Sequence, residues 1–176
     1  PGQGGGTALA NIITGKVNPS GKLTATWANQ WDDYSCSNNF FEKKGEKYLN
    51  YEEGLFVGYR SFDKDNVEPA FPFGFGMSYT RFSYSNLKVK HTGKQCQVKV
   101  DVTNTGKVAG AEVVQVYVEP LNVADTDPVQ TLRGFEKVNI KPGEKRTVTI
   151  MLDENAFSTY KVQKKDFTLD PGQYKI

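Results

Sequence analysis

A strict two-residue alternation in the second half of the chain constrains its fold more than any other feature. Three valines alternate with lysine and aspartate over residues 98–102, and aliphatic residues alternate with threonine and methionine over residues 147–152. Successive side chains of a strand point to opposite faces, so each run predicts a strand with one buried face. Turn sequences such as Asn104–Gly106 and Lys141–Glu144 separate such runs at intervals of about 8–12 residues. Residues 82–176 are therefore predicted to form an antiparallel β-sandwich.

The beginning of the chain has a different pattern. Leu9, Ile12 and Ile13 stand at helical spacing after a glycine-rich entry, and Gly15 is well placed to end the helix. After a turn, residues 23–27 alternate apolar side chains with threonine and predict a strand. A lone helix and strand cannot bury both of their apolar faces. We therefore expect the tail of an α/β layer whose partners precede it in a longer protein.

The middle of the chain is predicted to connect these two parts. Residues 28–50 are polar and irregular, and loops of this length are usually functional or disordered. Tyr51–Asp63 is an aromatic run with β propensity, so an extended segment is expected. Pro69–Thr80 alternates aromatic residues with glycine, which favours a segment held against a surface over a flexible tether. The predicted parts are residues 1–27, 28–81 and 82–176.

Charge and apolar content exclude several classes of partner. The 22 lysines and arginines nearly balance 20 aspartates and glutamates, so we expect no nucleic-acid partner. No apolar run approaches the ~20 residues that a membrane helix needs, so we expect no membrane partner either. Cys36 and Cys96 cannot build a disulfide framework, and two free thiols are favoured over one bridge because they fall in different elements. The lone His91 has no metal-ligand spacing to either cysteine, so no metal and no cofactor are expected.

Eight short motifs in fixed order cover nearly the whole chain. They are Pro1–Gly6, Gly15–Leu23, Tyr51–Arg60, Phe71–Thr80, Val102–Gly106, Gly110–Val118, Leu132–Val138 and Pro171–Tyr174. Together they resemble glycoside hydrolase family 3, in particular bacterial β-glucosidases and β-xylosidases. Each motif alone is a weak signal, but eight of them in one order make the resemblance strong.

The resemblance implies a protein of three parts: a barrel-like catalytic domain, an α/β sandwich and a C-terminal fibronectin type III-like domain. The implied fold of this chain is mainly β. It is a fibronectin type III-like, immunoglobulin-like antiparallel β-sandwich, preceded by the C-terminal tail of the α/β sandwich domain. In the family, the nucleophilic aspartate lies in the first part, and the acid/base glutamate lies upstream of the Pro-Gly-Gln motif. Neither maps onto this chain, which is expected to be inactive alone. The resemblance also implies a secreted or periplasmic location.

No residue of this chain is predicted to be catalytic. Glycoside hydrolysis needs two carboxylates that flank the scissile bond. The adjacent pairs Glu52–Glu53 and Asp32–Asp33 do not fit, because neighbouring residues of a strand point to opposite faces. A structural role is favoured for both pairs.

Trp31, Phe40 and Phe41 are the candidate residues for a substrate entrance. They lie in the long polar loop, where aromatic rings either stack on sugars or anchor the loop. Anchoring is favoured, and substrate contact stays open because ligands collect beyond the carboxyl ends of strands in open α/β sheets. Arg60 is expected on a strand, where it pairs with a carboxylate of a neighbouring domain or faces an anionic or sugar ligand.

Two functions of different classes fit the sequence. The first is the C-terminal, non-catalytic part of a retaining exo-β-glycosidase of β-glucosidase type. Its partners are the upstream catalytic and α/β domains, which the sandwich braces, and an oligosaccharide or glycoside substrate. The alternative is an independent, non-catalytic carbohydrate-binding or adhesion module, since a fold does not determine function. Residues 1–27 favour the first, because a free module would not begin with an unpartnered helix and strand.

Overall fold

The structure, a computed structural model, describes residues 2–41, 47–122, 124, 126–169 and 171–176. These residues form two compact units, each drawn from three stretches of the chain. Unit 1 comprises Pro1–Lys22, Gly76–Val116 and Gly134–Glu154, and unit 2 comprises Leu23–Phe75, Tyr117–Arg133 and Asn155–Ile176.

Strands outnumber helices in the described residues. The helices are α1 (Gly5–Ile13) and α2 (Tyr59–Asp65), with 3₁₀ turns at Trp31–Asp33 and Glu154–Phe157. The strands are β1 (Phe82–Thr92), β2 (Gln95–Asn104), β3 (Gly110–Pro120), β4 (Thr131–Ile140), β5 (Lys145–Leu152), β6 (Ser158–Lys161), β7 (Asp166–Leu169) and β8 (Tyr174–Lys175). No helix within the described ranges is long and apolar enough to cross a membrane.

The predicted β-sandwich is confirmed. One three-stranded sheet has the antiparallel order β1-β2-β5, and a second has the order β4-β3-β8. Strands β6 and β7 pair separately as an antiparallel two-stranded sheet. The alternating valines of β2 are buried and pair with the aliphatic residues of β5, as in Val98 opposite Ile150. The two sheets approach closely at Gly134 of β4, where an added Cβ would lie 2.6 Å from Ile150 Cγ2. The two-residue alternation therefore identified the core of unit 1 correctly.

The turn between β4 and β5 also forms as predicted. The amide of Glu144 donates to the carbonyl of Lys141 at 3.0 Å, which closes the turn. Gly143 has a φ of 71°, the conformation that position three of a type II turn requires and that glycine adopts without strain.

The predicted first helix is present and its apolar face is uncovered. Gly15 follows α1 with a φ of 75°, which ends the helix. Leu9 is 59% exposed and Ile13 is 72% exposed, and no residue of α1 is buried. The helix is held instead by a polar contact, because the Tyr79 hydroxyl donates to the carbonyl of Ile12 at 2.7 Å. The described residues of unit 1 thus leave Leu9 and Ile13 of α1 largely exposed.

The aromatic–glycine linker lies directly on the turn after α1, in line with the prediction of a docked segment. A Cβ built on Gly76 would collide with the carbonyl oxygen of Gly21, so only glycine permits this approach. Asn18 continues the contact, accepting hydrogen bonds from the amide of Tyr79 at 2.8 Å and from the hydroxyl of Ser78 at 3.0 Å. Its amide donates to the carbonyl of Ala109 at 2.9 Å.

The prediction of a regular strand at residues 23–27 is wrong. The segment makes one isolated antiparallel bridge, between Trp27 and Phe71, and Leu23 exchanges hydrogen bonds with residues 74 and 75 at 2.8 Å. Pro72 has no amide hydrogen and Gly74 has a φ of 80°, so a continuous ladder between the two segments is interrupted.

The prediction of an extended run over Tyr51–Asp63 is also wrong, because its end is helical. Helix α2 begins after Gly58 and ends at Asn66, which adopts the left-handed conformation with a φ of 52°. Burial of Phe62, which is 4% exposed, outweighs the β propensity of the aromatic residues. Arg60 therefore projects from a helix rather than from a strand.

Candidate functional site

The structure brings the three predicted entrance residues together in unit 2. The ring centroid of Trp31 lies 5.4 Å from that of Phe40 and 5.5 Å from that of Phe41, and the two phenylalanine rings lie 5.2 Å apart. These edge-to-face and tilted arrangements are the ones that aromatic pairs favour. We call Trp31, Phe40 and Phe41 the aromatic cluster.

Local hydrogen bonds hold the aromatic cluster in place. The indole of Trp31 donates to the carbonyl of Ser37 at 3.2 Å, and the amide of Phe40 donates to the carbonyl of Cys36 at 2.8 Å. Asp33 accepts from the backbone amide of Gln30 at 3.1 Å, which caps the 3₁₀ turn that carries Trp31. The loop is thus folded on itself by short-range contacts.

Tyr34 connects the aromatic cluster to α2. Its ring lies 5.9 Å from Trp31 and 6.1 Å from the buried Phe62. Its hydroxyl accepts a hydrogen bond from the amide of Ala28 at 3.1 Å. Tyr34 therefore links the cluster to the buried Phe62. The rings of the cluster themselves stay exposed: 42% for Trp31, 54% for Phe40 and 67% for Phe41. Their place at a substrate entrance stays a prediction.

The carboxylates weighed from the sequence occupy structural or solvent-facing positions. Glu52 and Glu53 lie in an irregular segment, so the expectation that a strand separates them is wrong. Asp33 serves as the cap described above, and Asp32 is exposed. In the part of the chain that the structure describes, no group of three or more His, Cys, Asp or Glu side chains has the arrangement a metal ion needs.

The two cysteines and the single histidine lie at separate positions in the fold. Cys36 and Cys96 are both free thiols, which confirms that prediction. Burial raises the pKa of the Cys96 thiol, so the thiolate is disfavoured there. His91 lies exposed in β1, opposite Cys96 in the register of the sheet.

Unit 2 contains a cavity that was not predicted from the sequence. Its volume is about 430 Å³, and its lining includes Arg60 of α2 and Arg133 of β4. Two contacts place α2 against this strand region: the amide of Leu132 donates to the Tyr59 hydroxyl at 2.9 Å, and Gln130 donates to Asp63 at 2.9 Å. The cavity was missed because it depends on Arg60 lying on a helix.

Arg133 is a half-buried side chain that lines this cavity. Its Nη2 donates to the carbonyl of Ser158 at 3.1 Å, whereas its buried Nε has no acceptor among the described residues. Burial lowers the pKa of the Arg133 guanidinium, and the nearby charge of Arg60 lowers that pKa further. Arg133 belongs to the Leu132–Val138 motif, and that position in a motif was the only signal in the sequence.

Comparisons with known proteins agree with the resemblance. A family model described as the glycosyl hydrolase family 3 C-terminal domain matches residues 1–79. A second, described as a fibronectin type III-like domain, matches residues 112–176.

Individual relatives match almost the full length of the chain. Thermostable beta-glucosidase B of Acetivibrio thermocellus is 44% identical over 180 residues, which cover 99% of this chain. An exo-alpha-(1->6)-L-arabinopyranosidase of Bifidobacterium breve is 42% identical over 99% of this chain. The crystal structure of a GH3 beta-glucosidase from Bifidobacterium adolescentis superposes on 98% of this chain with a TM-score of 0.92 and 42% identity.

The chain spans only a part of each of these proteins. It covers 23% of each of the two curated relatives and 26% of the crystallised chain. The remainder of each relative has no counterpart in the 176 residues described above.

Proposed function

Because this chain belongs to glycoside hydrolase family 3, we propose that it is the C-terminal, non-catalytic part of a retaining exo-β-glycosidase of β-glucosidase type. The longer protein removes terminal sugars from oligosaccharides or glycosides. The observation that supports this most directly is the 44% identity to a beta-glucosidase across 99% of the chain.

In this proposal the chemistry lies upstream of this chain. The family resemblance assigns the nucleophilic aspartate and the acid/base glutamate to preceding domains, which are the partners of this chain. A retaining mechanism uses the first to attack the anomeric carbon and the second to protonate the leaving oxygen. The 176 residues then have a supporting role, and the substrate is an oligosaccharide or a glycoside.

The uncovered face of α1 supports a bracing role. Leu9 and Ile13 are largely exposed in this chain, and covering each with a preceding α/β domain would contribute roughly 1.5–3 kcal/mol. Asn18 and Gly76 tie the segment after α1 to the linker and the sandwich within unit 1. A domain packed on α1 is thereby attached to a compact unit rather than to a tether.

The test compares this chain with the longer protein on an aryl β-glucoside. We expect turnover by the longer protein and none by the rigorously purified 176-residue chain. Glu52→Gln and Glu53→Gln in the longer protein serve as matched controls, and both should leave kcat unchanged. Turnover by the chain alone that either substitution abolishes would overturn the assignment of the catalytic groups to upstream domains.

The sugar is proposed to be β-linked glucose. One relative with 42% identity is named for action on L-arabinopyranosides, so the panel of substrates should include more than one sugar. Aryl β-glucoside, β-xyloside and α-L-arabinopyranoside are compared by kcat/KM. A preference of more than about tenfold, or about 1.4 kcal/mol, for a sugar other than glucose would replace this part of the proposal.

The exposed aromatic cluster is the observation that supports the alternative function, an independent carbohydrate-binding or adhesion module. Such a module would bind oligosaccharides without any upstream domain. Titration of the isolated chain with cellotetraose distinguishes the two: binding that Trp31→Ala abolishes supports the module, and no binding supports the hydrolase part.

We also propose that the longer protein is secreted or periplasmic, on the strength of the family resemblance. Fractionation of the source cells, with an antibody against this chain, tests the location. Recovery from the cytoplasm alone would contradict it.

A further inference from the structure

The cavity of unit 2 joins basic and aromatic side chains around one space. Its volume of about 430 Å³ falls within the roughly 300–1,000 Å³ of ligand sites. Arg60 and Arg133 supply the guanidinium groups. Phe157 and Tyr174, whose rings pack edge to face at 5.2 Å, line the same space. Aromatic walls with a few charged groups are the composition expected of a small-molecule site.

Neither arginine makes an ion pair with an acidic residue that the structure describes. The Nε of Arg133 is buried without an acceptor within the described ranges, and buried donors are rarely left unmet. The guanidinium of Arg60 lies 5.9 Å from the centroid of its neighbour Tyr59 and makes no ion pair with a described residue. Asp127 also lines the cavity but forms no ion pair with either arginine. Two uncompensated like charges around one space favour an anion between them.

We propose that this cavity is a binding site for a carboxylate, with Arg133 and Arg60 as its ligands and the aromatic walls packing on the body that carries the carboxylate. A guanidinium presents parallel N–H donors that match the two oxygens of a carboxylate. The Nη2 of Arg133 donates to the carbonyl of Ser158, which fixes the orientation of the guanidinium that lines the cavity. A hexuronate, with its carboxylate on a pyranose ring, has both features that the cavity recognises.

The carboxylate has two possible sources: a free sugar acid, or an aspartate or glutamate of a preceding domain. The site itself does not depend on the proposed hydrolase function. Only the second source, a carboxylate of a preceding domain, rests on that function.

The experiment is calorimetric titration of the purified chain with D-glucuronate, with D-glucose as the neutral match. We expect D-glucuronate to bind and D-glucose to bind at least about tenfold more weakly. Arg60→Gln should weaken D-glucuronate binding about tenfold or more. The exposed Arg81→Gln, outside unit 2, is the matched control and should leave binding unchanged.

Arg133 is followed without substitution, since removing a half-buried arginine risks the fold. Its side-chain Nε–H resonance should shift when D-glucuronate is added and stay in place with D-glucose. Binding should also weaken as salt is raised, because the contact is between charges.

The same titration on the longer protein separates the two sources. D-glucuronate binding in both proteins identifies a free sugar acid as the occupant, whereas binding to the isolated chain alone identifies a carboxylate of a preceding domain. Absence of binding to the isolated chain, with no shift of the Arg133 resonance, overturns the proposal while leaving the hydrolase assignment intact.

Discussion

The Nζ of Lys22 lies 3.2 Å from the Oε2 of Glu112, so the segment after α1 is bound by charge to strand β3. Both side chains are largely buried, at 19% and 14% exposed. The hydroxyl of Tyr84 donates to the other carboxylate oxygen at 2.9 Å. Burial, followed by the charge and the hydrogen bond of Glu112, raises the pKa of the Tyr84 hydroxyl, so it stays protonated as a donor. Two of the eight motifs thus meet at one ion pair.

Breaking this pair should destabilise the chain. Among the described residues, Lys22→Met leaves the Glu112 carboxylate with Tyr84 as its hydrogen-bond donor. We expect a loss of about 1.5–3 kcal/mol in the free energy of unfolding. Denaturant titration measures it, with Lys16→Met as the control because Lys16 is exposed and unpaired among the described residues. Equal effects of the two substitutions would show that the pair contributes nothing.

Asn104 should be intolerant even of the isosteric change to aspartate. It is fully buried, and its amide donates to the carbonyls of Val108 at 2.8 Å and Ile140 at 3.0 Å. Aspartate replaces that donor with an acceptor facing two carbonyls, so we expect a loss of about 2–4 kcal/mol at neutral pH. Asn139→Asp, at an exposed neighbouring position, should change the unfolding midpoint little. A tolerated Asn104→Asp would contradict the hydrogen bonding described here.

Asp101 should make the stability of unit 1 dependent on pH. A hydrogen bond from Asn86 at 2.9 Å, and then one from Thr147 at 2.6 Å, lower the pKa of its carboxyl. Because the pKa is lower in the folded state, the carboxylate stabilises the fold above its unfolded pKa of about 3.9. That contribution is lost as the pH falls through the folded pKa.

Asp101→Asn should therefore destabilise the chain at pH 7, and the difference from the unsubstituted chain should shrink below about pH 4. Denaturant midpoints at a series of pH values measure this. Asp32→Asn, at an exposed position, serves as the control. A difference that stays constant down to pH 2 would argue against a lowered pKa.

Thr26→Val should stabilise this chain. Thr26 is 5% exposed, and its hydroxyl has no hydrogen-bond partner among the described residues. Valine has the same shape without the unmet polar atom, so a gain of about 1 kcal/mol in the free energy of unfolding is expected. The same change at the exposed Thr24 should have little effect. A loss of stability at position 26 would mean that the hydroxyl is hydrogen bonded in solution.

The aromatic cluster gives the prediction closest to function. If Phe40 and Phe41 contact the distal sugar, replacing both with alanine in the longer protein should raise KM for an oligosaccharide. An aryl glycoside should be nearly unaffected, because only binding remote from the reacting bond is lost. The expected size is about 0.5–1.5 kcal/mol. Tyr48→Ala, at an exposed ring of the same loop, is the control, and equal losses on both substrates would indicate a loop anchor.

The sandwich was predictable because its signal is local and repeated. Each buried valine of β2 alternates with a polar residue, and the register with β5 follows from the same alternation. The type II turn at Gly143 was predictable for a similar reason, since its backbone conformation selects glycine. The division of the chain at residues 27/28 and 81/82 stays a prediction.

The helix α2 and the arginine cavity were not predictable in this way. Tyr59–Asp65 contains aromatic residues that favour strands, and its helical form depends on burying Phe62 and on the left-handed Asn66. Burial of Phe62 is a tertiary effect, which overrides local propensity, whereas the left-handed Asn66 is a local helix-ending signal that the strand prediction did not use. The cavity then requires Arg60 and Arg133, which stand far apart in the sequence, to line one space. Neither hydrophobic alternation nor the spacing of motifs in the sequence indicates that two distant arginines line the same cavity.

The assembly of unit 1 from three separated stretches has a consequence for the chain as it is being synthesised. A ribosome adds residues in order at about 5–20 per second, and strand β5, which ends at Leu152, completes the sheet last. Until β5 leaves the ribosome, the valines of β2 lack one of their two neighbouring strands. Closing such long loops is slow compared with forming a local helix or hairpin. A nascent chain stalled before β5 therefore exposes the apolar face and the unpaired edge of an incomplete sheet, which chaperones must cover. It does not form a smaller folded version of unit 1.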